Sequence, residues 1–354
     1  MYDVVIIGGG PAGANLARML DKKFKILLVD KRALDKESST NRKVCCGGLL
    51  APDAQKMFAR FGLGIPTDVL AGPQLFSVRT IDFDNDIEMN YQRNYININR
   101  EKFDRWFVSQ VPISVEKKYN TLYRNYNESD NFLEVNLTEN EKDIIVQTKI
   151  LVGADGAISR VRDQGFSNSI KPAKYVSIQK EYATVDDMPY YTSIFDKEIT
   201  DYYSWIIQKD NTVFIGSAIP ENYDANEKFD LLIKKISDYG FKLGKLKTKT
   251  GTLIMRPRNS RQLNACKNKV SLVGEAAGFI SPSSAEGISY ALNSSEILAN
   301  CINAHGENFP HSYTKKITGI KRNIFVKNLK IIVMYNKFLR LLVMKSGFLS
   351  LKKS

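Results

Sequence analysis

The stretch "DVVIIGGGPAGANLARMLDKKFKILLVD", residues 3–30, reads as a buried strand, a glycine-rich turn, a helix and a second buried strand. Gly8, Gly10 and Gly13 have the GxGxxG spacing and lie where the first strand passes into the helix, the context that this motif requires. Gly8 permits a tight turn, Gly10 lets the backbone approach a pyrophosphate, and Gly13 allows the helix to pack closely on the strand. Asp30 ends the second strand, where a carboxylate can accept hydrogen bonds from an adenosine ribose. The unit predicts an α/β dinucleotide-binding fold, and by itself it does not distinguish FAD from NAD.

Two later stretches distinguish these cofactors. Residues 151–162, "LVGADGAISRVR", follow a predicted hairpin, and residues 269–302, "KVSLVGEAAGFISPSSAEGISYALNSSEILANCI", read as a strand, a loop and a long helix. They resemble the Asp-Gly motif and the C-terminal flavin-binding motif of FAD-dependent oxidoreductases built like p-hydroxybenzoate hydroxylase. Within that superfamily, "KVCCGGLL", "YYSWIIQ" and "VGEAAGFISPSSAEGI" are similar to the geranylgeranyl reductase family. The resemblance covers most of residues 1–305.

The resemblance and the length of 354 residues together imply two lobes and a tail. The expected α/β, Rossmann-like FAD-binding domain consists of residues 1–69, 96–165 and 263–305. Residues 70–95 and 166–262 alternate apolar and polar side chains, which predicts an inserted, mainly antiparallel β-sheet as the substrate domain. Residues 306–354 are expected to form a C-terminal helical region.

The resemblance also implies where a flavin would bind. Glu275 should face the ribityl chain or the adjoining phosphate linkage, although the family usually has Asp at this position. Gly287 and Ile288 begin a helix whose free amides, with a dipole worth roughly +0.5 charge, should face the pyrimidine end of the flavin. Arg100 matches an arginine near the flavin or forms a salt bridge at a helix start, and Asp155 either touches the phosphate side or caps a helix. The expected cofactor-binding residues are Gly8, Gly10, Pro11, Ala12, Gly13, Asp30, Lys31, Cys45, Gly48, Arg100, Ala154, Asp155, Gly156, Gly274, Glu275, Gly287 and Ile288.

Cys45 and Cys46 are adjacent in a chain with four cysteines and two histidines. Their spacing from the other cysteines does not fit a structural zinc site, so no metal is expected. The resemblance aligns Cys46 and Gly47 with a Cys-Gly motif close to the flavin ring, where a thiol can donate a proton after hydride transfer. The alternative is a small buried residue that fits beside the ring. A disulfide between neighbouring cysteines is strained and is not expected in a reducing compartment.

An aromatic pair completes the predicted catalytic set of Cys46, Gly47, Tyr203 and Trp205. Tyr203 and Trp205 match the family's Tyr-x-Trp-x-Phe-Pro pattern, which lines a substrate pocket, whereas Ile207 and Gln208 replace Phe and Pro. These two departures put the substrate in question more than the fold. The alternative is that both aromatic rings are ordinary core residues.

The net charge of +13 is concentrated in the tail, because eleven basic residues and no acidic residue follow Glu307. Residues 327–342 read as one amphipathic basic helix. Its predicted basic side carries Lys327, Lys330, Lys337 and Arg340, and its predicted apolar side carries Ile331, Met334, Tyr335, Phe338, Leu341 and Leu342. Such a helix either lies on an anionic membrane surface or packs its apolar side on the protein. No transmembrane anchor is expected, because the apolar run is far shorter than the roughly 20 residues that span a bilayer, and nucleic acid is not an expected partner.

The resemblance implies an FAD enzyme that delivers hydride to a C=C bond of a hydrophobic, isoprenoid-like substrate. Electrons come from NAD(P)H or from a protein donor, since no separate NAD(P)H-binding unit is visible. An FAD-dependent monooxygenase of an aromatic or polyketide-like substrate is the first alternative, a related flavin halogenase is less favoured, and a flavin-binding redox or partner protein without turnover is a further one. No secretory signal precedes the first strand, so a cytoplasmic location is expected, peripheral at the inner membrane face if the tail binds lipid. The sequence does not predict the oligomeric state.

Overall fold

The computed structural model describes residues 1–36 and 44–351, which fall into two compact units. The first unit comprises Met1–Arg42, Phe103–Ala173 and Met255–Val326. The second comprises Lys43–Lys102, Lys174–Ile254 and Lys327–Ser354. Residues 37–43 of the predicted FAD-binding range, and Lys352 and Lys353 of the predicted tail, lie outside the described residues.

The described residues form sixteen strands and nine α-helices. The strands are β1 (Tyr2–Ile7), β2 (Ile26–Val29), β3 (Leu49–Leu50), β4 (Leu75–Asp82), β5 (Ile87–Asn97), β6 (Glu116–Lys118), β7 (Thr121–Glu128), β8 (Leu133–Glu139), β9 (Lys142–Gly153), β10 (Ala173–Ala183), β11 (Tyr191–Phe195), β12 (Ser204–Lys209), β13 (Thr212–Pro220), β14 (Leu246–Arg256), β15 (Cys266–Lys267) and β16 (Val270–Leu272). The helices are α1 (Pro11–Met19), α2 (Pro52–Arg60), α3 (Arg100–Ser109), α4 (Arg160–Gly165), α5 (Ala225–Asp238), α6 (Ile288–His305), α7 (Pro310–Lys316), α8 (Thr318–Tyr335) and α9 (Lys337–Lys345).

The sheet of the first unit is built around five parallel strands, β16, β9, β1, β2 and β6. Its order is β15-β16-β9-β1-β2-β6, and β8 joins the same sheet by pairing with β9 and β7. β1 runs parallel to both β2 and β9. Parallel strands are buried on both faces, which is why β1 and β2 are continuous apolar runs, "VVII" and "ILLV". The predicted Rossmann-like α/β fold is confirmed, with the glycine turn at the carboxyl end of β1.

The sheet of the second unit has the order β14-β10-β13-β12-β11-β4-β5-β3. Five of its pairs, β10–β13, β13–β12, β12–β11, β4–β5 and β5–β3, are antiparallel, and β11 runs parallel to β4. The predicted mainly antiparallel sheet is confirmed. α5 covers one side of this sheet because Phe229, Leu232 and Ile236, at helical spacing, are buried in one apolar cluster with Ile206 of β12.

The boundaries between the units differ from the predicted ones. Residues 44–69 and 96–102 belong to the second unit, although they were expected in the FAD-binding domain. The physical reason is β3, where Leu49 and Leu50 pair with Asn97 and Ile96 at the end of β5. A two-residue strand leaves no alternation in the sequence, so this backbone pairing had no visible signal.

The single amphipathic helix predicted for residues 327–342 is wrong. α8 ends at Tyr335, and Asn336 caps α9 by accepting hydrogen bonds from the amides of Phe338 and Leu339, each at 3.0 Å. Arg340, expected on a solvated basic side, is buried in ion pairs with Asp82 and Asp84. No helix among the described residues is long and apolar enough to cross a membrane.

Candidate functional site

Two glycines of the first unit are required by backbone packing around β1. Gly8 has φ +110°, and a Cβ there would lie 2.3 Å from the carbonyl oxygen of Ala154. A Cβ at Gly13 would lie 1.8 Å from the carbonyl oxygen of Gly8 and 3.3 Å from Cβ of Ala154. The turn, α1 and the end of β9 therefore meet at distances that only glycine permits.

Gly10 differs from these glycines because the described residues leave open space around it. Among them, only the Arg32 guanidinium would lie within 4 Å of a Cβ at Gly10, at 4.0 Å. Gly10 is the N-cap of α1, where no side chain caps the helix and no acidic residue lies in the first turn. Pro11 has no N–H to satisfy, and Ala12 is buried, 3.1 Å from where a Cβ of Gly274 would lie. An open helix N-terminus with backbone access is the arrangement that binds a pyrophosphate, so these residues fit a dinucleotide.

Asp30 lies at the end of β2 as expected, and its carboxylate is already bonded within the chain. Oδ2 accepts hydrogen bonds from the Gly9 amide at 2.7 Å and from Arg32 Nη2 at 3.1 Å. Oδ1 accepts from the Arg32 amide and from its Nε. Arg32 also donates to Asp104 Oδ2 at 2.8 Å, whereas Lys31 is exposed. The sequence reasoning missed Arg32, although a lysine-arginine pair directly after the acidic residue was a visible signal.

Asp155 accepts hydrogen bonds at the start of α4, whose N-cap is Ser159. Its carboxylate accepts hydrogen bonds from Ser159 Oγ at 2.6 Å and from the amides of Arg160 and Val161 at the start of α4. Burial raises the pKa of this carboxyl, while the three hydrogen bonds oppose the rise. Gly156 has φ +75°, and no heavy atom of the described residues would lie within 4 Å of a Cβ there, so they leave its backbone open.

The loop before α6 contains the remaining predicted residues of the first unit. Gly274 has φ +58° and donates its N–H to Ser294 Oγ at 2.9 Å. Glu275 accepts a hydrogen bond from the Met255 amide at 2.9 Å through Oε1. Gly287 caps α6 without a side-chain hydrogen bond, and α6 begins at Ile288. The amides of this helix start are not all free as expected, because Glu286 accepts hydrogen bonds from the amide and hydroxyl of Ser289.

In the second unit, the two adjacent cysteines have different surroundings. Cys46 Sγ accepts hydrogen bonds from Arg100 Nη1 at 3.2 Å and from the Gly48 amide at 3.4 Å. Cys45 Sγ instead lies 3.6 Å from the carbonyl oxygen of Ser177, and burial raises the pKa of its thiol. Both cysteines are free, as predicted. Arg100 therefore contacts the thiol, so a negative charge on this sulfur would be offset at once.

Lys209 is a functional candidate that the sequence reasoning missed. It is 6% exposed, and its Nζ donates to the carbonyl oxygens of Gly48 at 3.0 Å and Ile98 at 2.8 Å and to Asn97 Oδ1. Burial lowers the pKa of this amine to about 7, and the nearby Cys46 and Asp210 oppose the shift. Gly48 has φ +60°, and a Cβ there would lie 2.8 Å from Nζ. Lys209 thus holds the Cys46–Gly48 segment against β5, and a lysine ending an otherwise uncharged strand was its only signal.

Tyr203 and Trp205 are both buried, with ring centroids 5.8 Å apart. Side chains alternate along a strand, so Trp205, Ile207 and Lys209 share one face of β12. That face meets the cysteine segment, because a Cβ at Gly47 would lie 2.9 Å from Ile207 Cδ1. Within the described residues, the buried indole Nε1 of Trp205 has no hydrogen-bond partner.

The departures from the aromatic motif have structural roles. Gln208 lies on the other face of β12, where its amide side chain accepts a hydrogen bond from the Met188 amide and donates to Asp187 at 3.1 Å. A proline could make neither bond.

The structure brings predicted residues together in two groups, one in each unit. The first is Gly8, Gly10, Pro11, Ala12, Gly13, Asp30, Ala154 and Gly274, and the second is Cys46, Gly47, Gly48, Arg100 and Trp205.

Comparison with known proteins adds to this geometry. The sequence pattern of a family described as "FAD binding domain" matches residues 1–308. The chain is 40% identical over 346 residues to Protein CbrA of Escherichia coli O6:H1, covering 98% of this chain and 93% of CbrA. Its structure is similar to a geranylgeranyl bacteriochlorophyll reductase-like protein from Thermoplasma acidophilum, with a TM-score of 0.80 and 18% identity over 94% of this chain and 86% of that one. It is also similar to PqsL, a probable FAD-dependent monooxygenase from Pseudomonas aeruginosa, with a TM-score of 0.68 and 15% identity over 97% and 99% of the two chains.

Proposed function

We propose that this chain, which belongs to the FAD binding domain family, is a reductase that saturates a C=C bond of a hydrophobic, isoprenoid-like substrate. FAD is its cofactor and, when bound, supplies the hydride. NAD(P)H or a protein donor is the proposed source of electrons. The open Gly10 turn, the uncapped start of α1 and the Arg32 guanidinium would hold the pyrophosphate, and the open backbone at Gly156 would contact the phosphate side.

The observation that carries the proposal is the thiol of Cys46 with its cationic neighbours. Saturating a C=C bond adds a hydride to one carbon and a proton to the other, so the enzyme needs an acid beside the substrate. In our proposal Cys46 Sγ gives this proton, and the Arg100 guanidinium, 3.2 Å away, stabilises the negative charge left on sulfur. Below a pH of about 7, where it is protonated, the amine of Lys209 adds positive charge nearby. Hydroxylation requires no thiol, and this favours reduction over oxygen transfer.

Tyr203 and Trp205 support an apolar substrate in this proposal. Their buried rings form an aromatic surface on the face of β12 that carries Lys209, and aromatic side chains gain most from apolar contact. The indole N–H of Trp205 lacks a partner among the described residues.

Replacing Gly10 with alanine is expected to weaken FAD binding by at least about tenfold. The added Cβ would keep the backbone from approaching the pyrophosphate, and the loss of one hydrogen bond to a charged phosphate has this magnitude. The added Cβ enters open space in the protein itself, so the melting temperature of the flavin-free protein should stay unchanged. Gly64→Ala is the matched control, because a Cβ there meets no described atom within 4 Å, and a Cβ at Gly10 meets only the Arg32 guanidinium, at 4.0 Å. Flavin titration of both variants gives the comparison, and equal affinities would remove Gly10 from the cofactor site.

The function is tested by reducing the purified holoenzyme anaerobically and adding polyprenyl or enone acceptors. The expected result is reoxidation of the flavin, seen as the return of its oxidised absorbance spectrum, together with a product heavier by two hydrogens. If no such acceptor reoxidises the enzyme, the reductase proposal fails. NAD(P)H oxidation coupled to oxygen consumption, with a product heavier by one oxygen, would replace it with a monooxygenase, and slow substrate-independent reduction with a stable protein complex would replace it with a partner protein.

A further inference from the structure

The C-terminal part of the second unit exposes an unusual number of large apolar side chains. We call the exposed large apolar side chains within residues 327–351 the tail face. They are Leu329, Ile332, Val333, Phe338, Leu342, Val343, Phe348, Leu349 and Leu351. Ile332, Phe338, Phe348 and Leu349 are 60%, 65%, 67% and 75% exposed. Apolar residues scattered singly on a surface are common, whereas this concentration of exposed apolar residues within one segment of the chain points to an interaction site.

The tail face is not the side by which the helices pack on the sheet. In α8, the half-buried Tyr335 lies 5.6 Å from Phe195 and 5.4 Å from Tyr202, measured between ring centroids. In α9, Arg340 and Met344 are buried one turn apart, and the Arg340 guanidinium lies 4.8 Å from the same Phe195 ring. Both helices therefore turn one apolar side to β11 and keep a second one in solvent.

Buried ion pairs fix this orientation. Arg340 donates to Asp82 from Nε and Nη2 at 2.7 and 2.8 Å, and to Asp84 from Nη2 at 2.7 Å. Asp82 is fully buried, so rotating α9 to hide its exposed side would leave a carboxylate without its cation. The rotation that would bury Phe338 and Leu342 is thereby opposed.

The segment after α9 is also held while its side chains stay exposed. The amide of Leu351 donates to the carbonyl oxygen of Asn90 at 2.7 Å, and Ser350 forms an antiparallel bridge with Tyr91 of β5. Phe348 and Leu349 are thus exposed on a fixed backbone. A bonded segment that presents two large apolar side chains to water is suited to a surface that receives them.

Charge decides between the possible occupants of this face. The exposed Lys330, Lys337 and Lys345 lie among its apolar residues, and no acidic residue follows Glu307 in the chain. Two copies meeting through this face would bring two basic tails together, and like charges repel. An anionic bilayer offers negative headgroups and an apolar interior at the same surface.

We propose that the tail face docks on anionic lipid bilayers, with its apolar side chains inserted at the headgroup boundary and its lysines on the headgroups. With the apolar substrate proposed above, this contact would place the enzyme at the membrane in which such a substrate dissolves. The proposal rests on the tail geometry alone and holds whether or not the substrate is an isoprenoid.

Co-sedimentation of the full-length holoenzyme with vesicles tests the proposal. Wild-type protein is expected to bind vesicles that contain phosphatidylglycerol and to bind pure phosphatidylcholine weakly. Combining Leu329→Gln, Ile332→Gln and Phe338→Gln should abolish binding, whereas Ile113→Gln, Ile145→Gln and Ile170→Gln, which remove three exposed isoleucines of the first unit, should not. Retained flavin absorbance shows that each variant is folded.

A second pair of variants tests the charge. Lys330→Gln, Lys337→Gln and Lys345→Gln should weaken binding on the order of 100-fold, about fivefold for each lysine, and high salt should erase the difference. Lys142→Gln, Lys245→Gln and Lys247→Gln change the net charge equally at exposed positions elsewhere and should bind as wild type does.

Three results would overturn the proposal. The first is wild-type protein that does not bind phosphatidylglycerol vesicles, and the second is a tail-face variant that binds as tightly as wild type. The third is a solution dimer that the Leu329, Ile332 and Phe338 substitutions dissociate, since this would assign the face to a second copy. Each readout is independent of turnover, so failure of the reductase proposal is recognised separately.

Discussion

Cys46→Ala is expected to slow substrate reduction by about 10²–10⁴-fold, the contribution of a positioned general acid. The substitution removes the only thiol that Arg100 contacts among the described residues and leaves water as the proton source. Cys46 is half-buried rather than part of the core, so the variant should fold and bind flavin normally. The effect should therefore appear in the rate of reoxidation by the acceptor and not in reduction by the electron donor.

The adjacent cysteine is the matched control. Cys45→Ala removes the same atom one residue earlier, where Sγ faces Ser177 instead of a cation. Single-turnover reoxidation of both variants, followed in the flavin spectrum with the same acceptor, gives the comparison. Similar rates for the Cys46 variant and wild type would refute the role of the thiol, and equal losses in both variants would point to packing of the segment.

Lys209 is expected to make the stability of the protein depend on pH. Its pKa falls from an ordinary value of 10.5 to about 7 in the folded protein. Between these values the unfolded chain binds a proton that the folded chain lacks, so the free energy of unfolding rises with pH by about 1.4 kcal/mol per unit. This contribution is complete above pH 10.5, is lost as the pH falls toward 7, and does not change further below pH 7.

The measurement is the urea midpoint of wild type and Lys209→Met across this pH range. Methionine has no titrating group. The free energy of unfolding of wild type minus that of Lys209→Met should therefore rise with pH. The pH slope is the relevant quantity, because methionine also leaves the carbonyl oxygens of Gly48 and Ile98 without a donor. Lys245→Met, at an exposed lysine, should run parallel to wild type. A parallel course for Lys209→Met would show that the buried amine does not titrate in this range.

The elements that the sequence predicted best are those set by backbone constraints. The glycine turn between β1 and α1 was predictable because Gly8 and Gly13 occupy positions where any Cβ would collide with a carbonyl oxygen. The antiparallel sheet was predictable because its strands alternate apolar and polar residues. β3 was not, since two residues that pair only through backbone atoms leave no pattern in side-chain types.

The sites were less predictable, because their interactions join residues that are distant in sequence. The motifs indicated Cys46 and Arg100, and the hydrogen bond between them became visible only when the fold brought residues 54 positions apart together. The burial of Lys209 was not predicted, because a lysine side chain is usually solvated. The carbonyl oxygens that accept its hydrogen bonds explain its burial. Arg340 was misassigned to a solvated side for the same reason, since its acidic partners lie 258 and 256 positions earlier.

The contact between Trp205 and Gly216 constrains substitutions on the face of β12 that carries the tryptophan. The two residues are paired on β12 and β13, and a Cβ at Gly216 would lie 2.2 Å from Cε2 of the indole. A protein engineer therefore has to choose the residues at positions 205 and 216 together. Any side chain introduced at position 216 displaces the tryptophan, so the aromatic surface of β12 is reshaped only by changing both residues in one step.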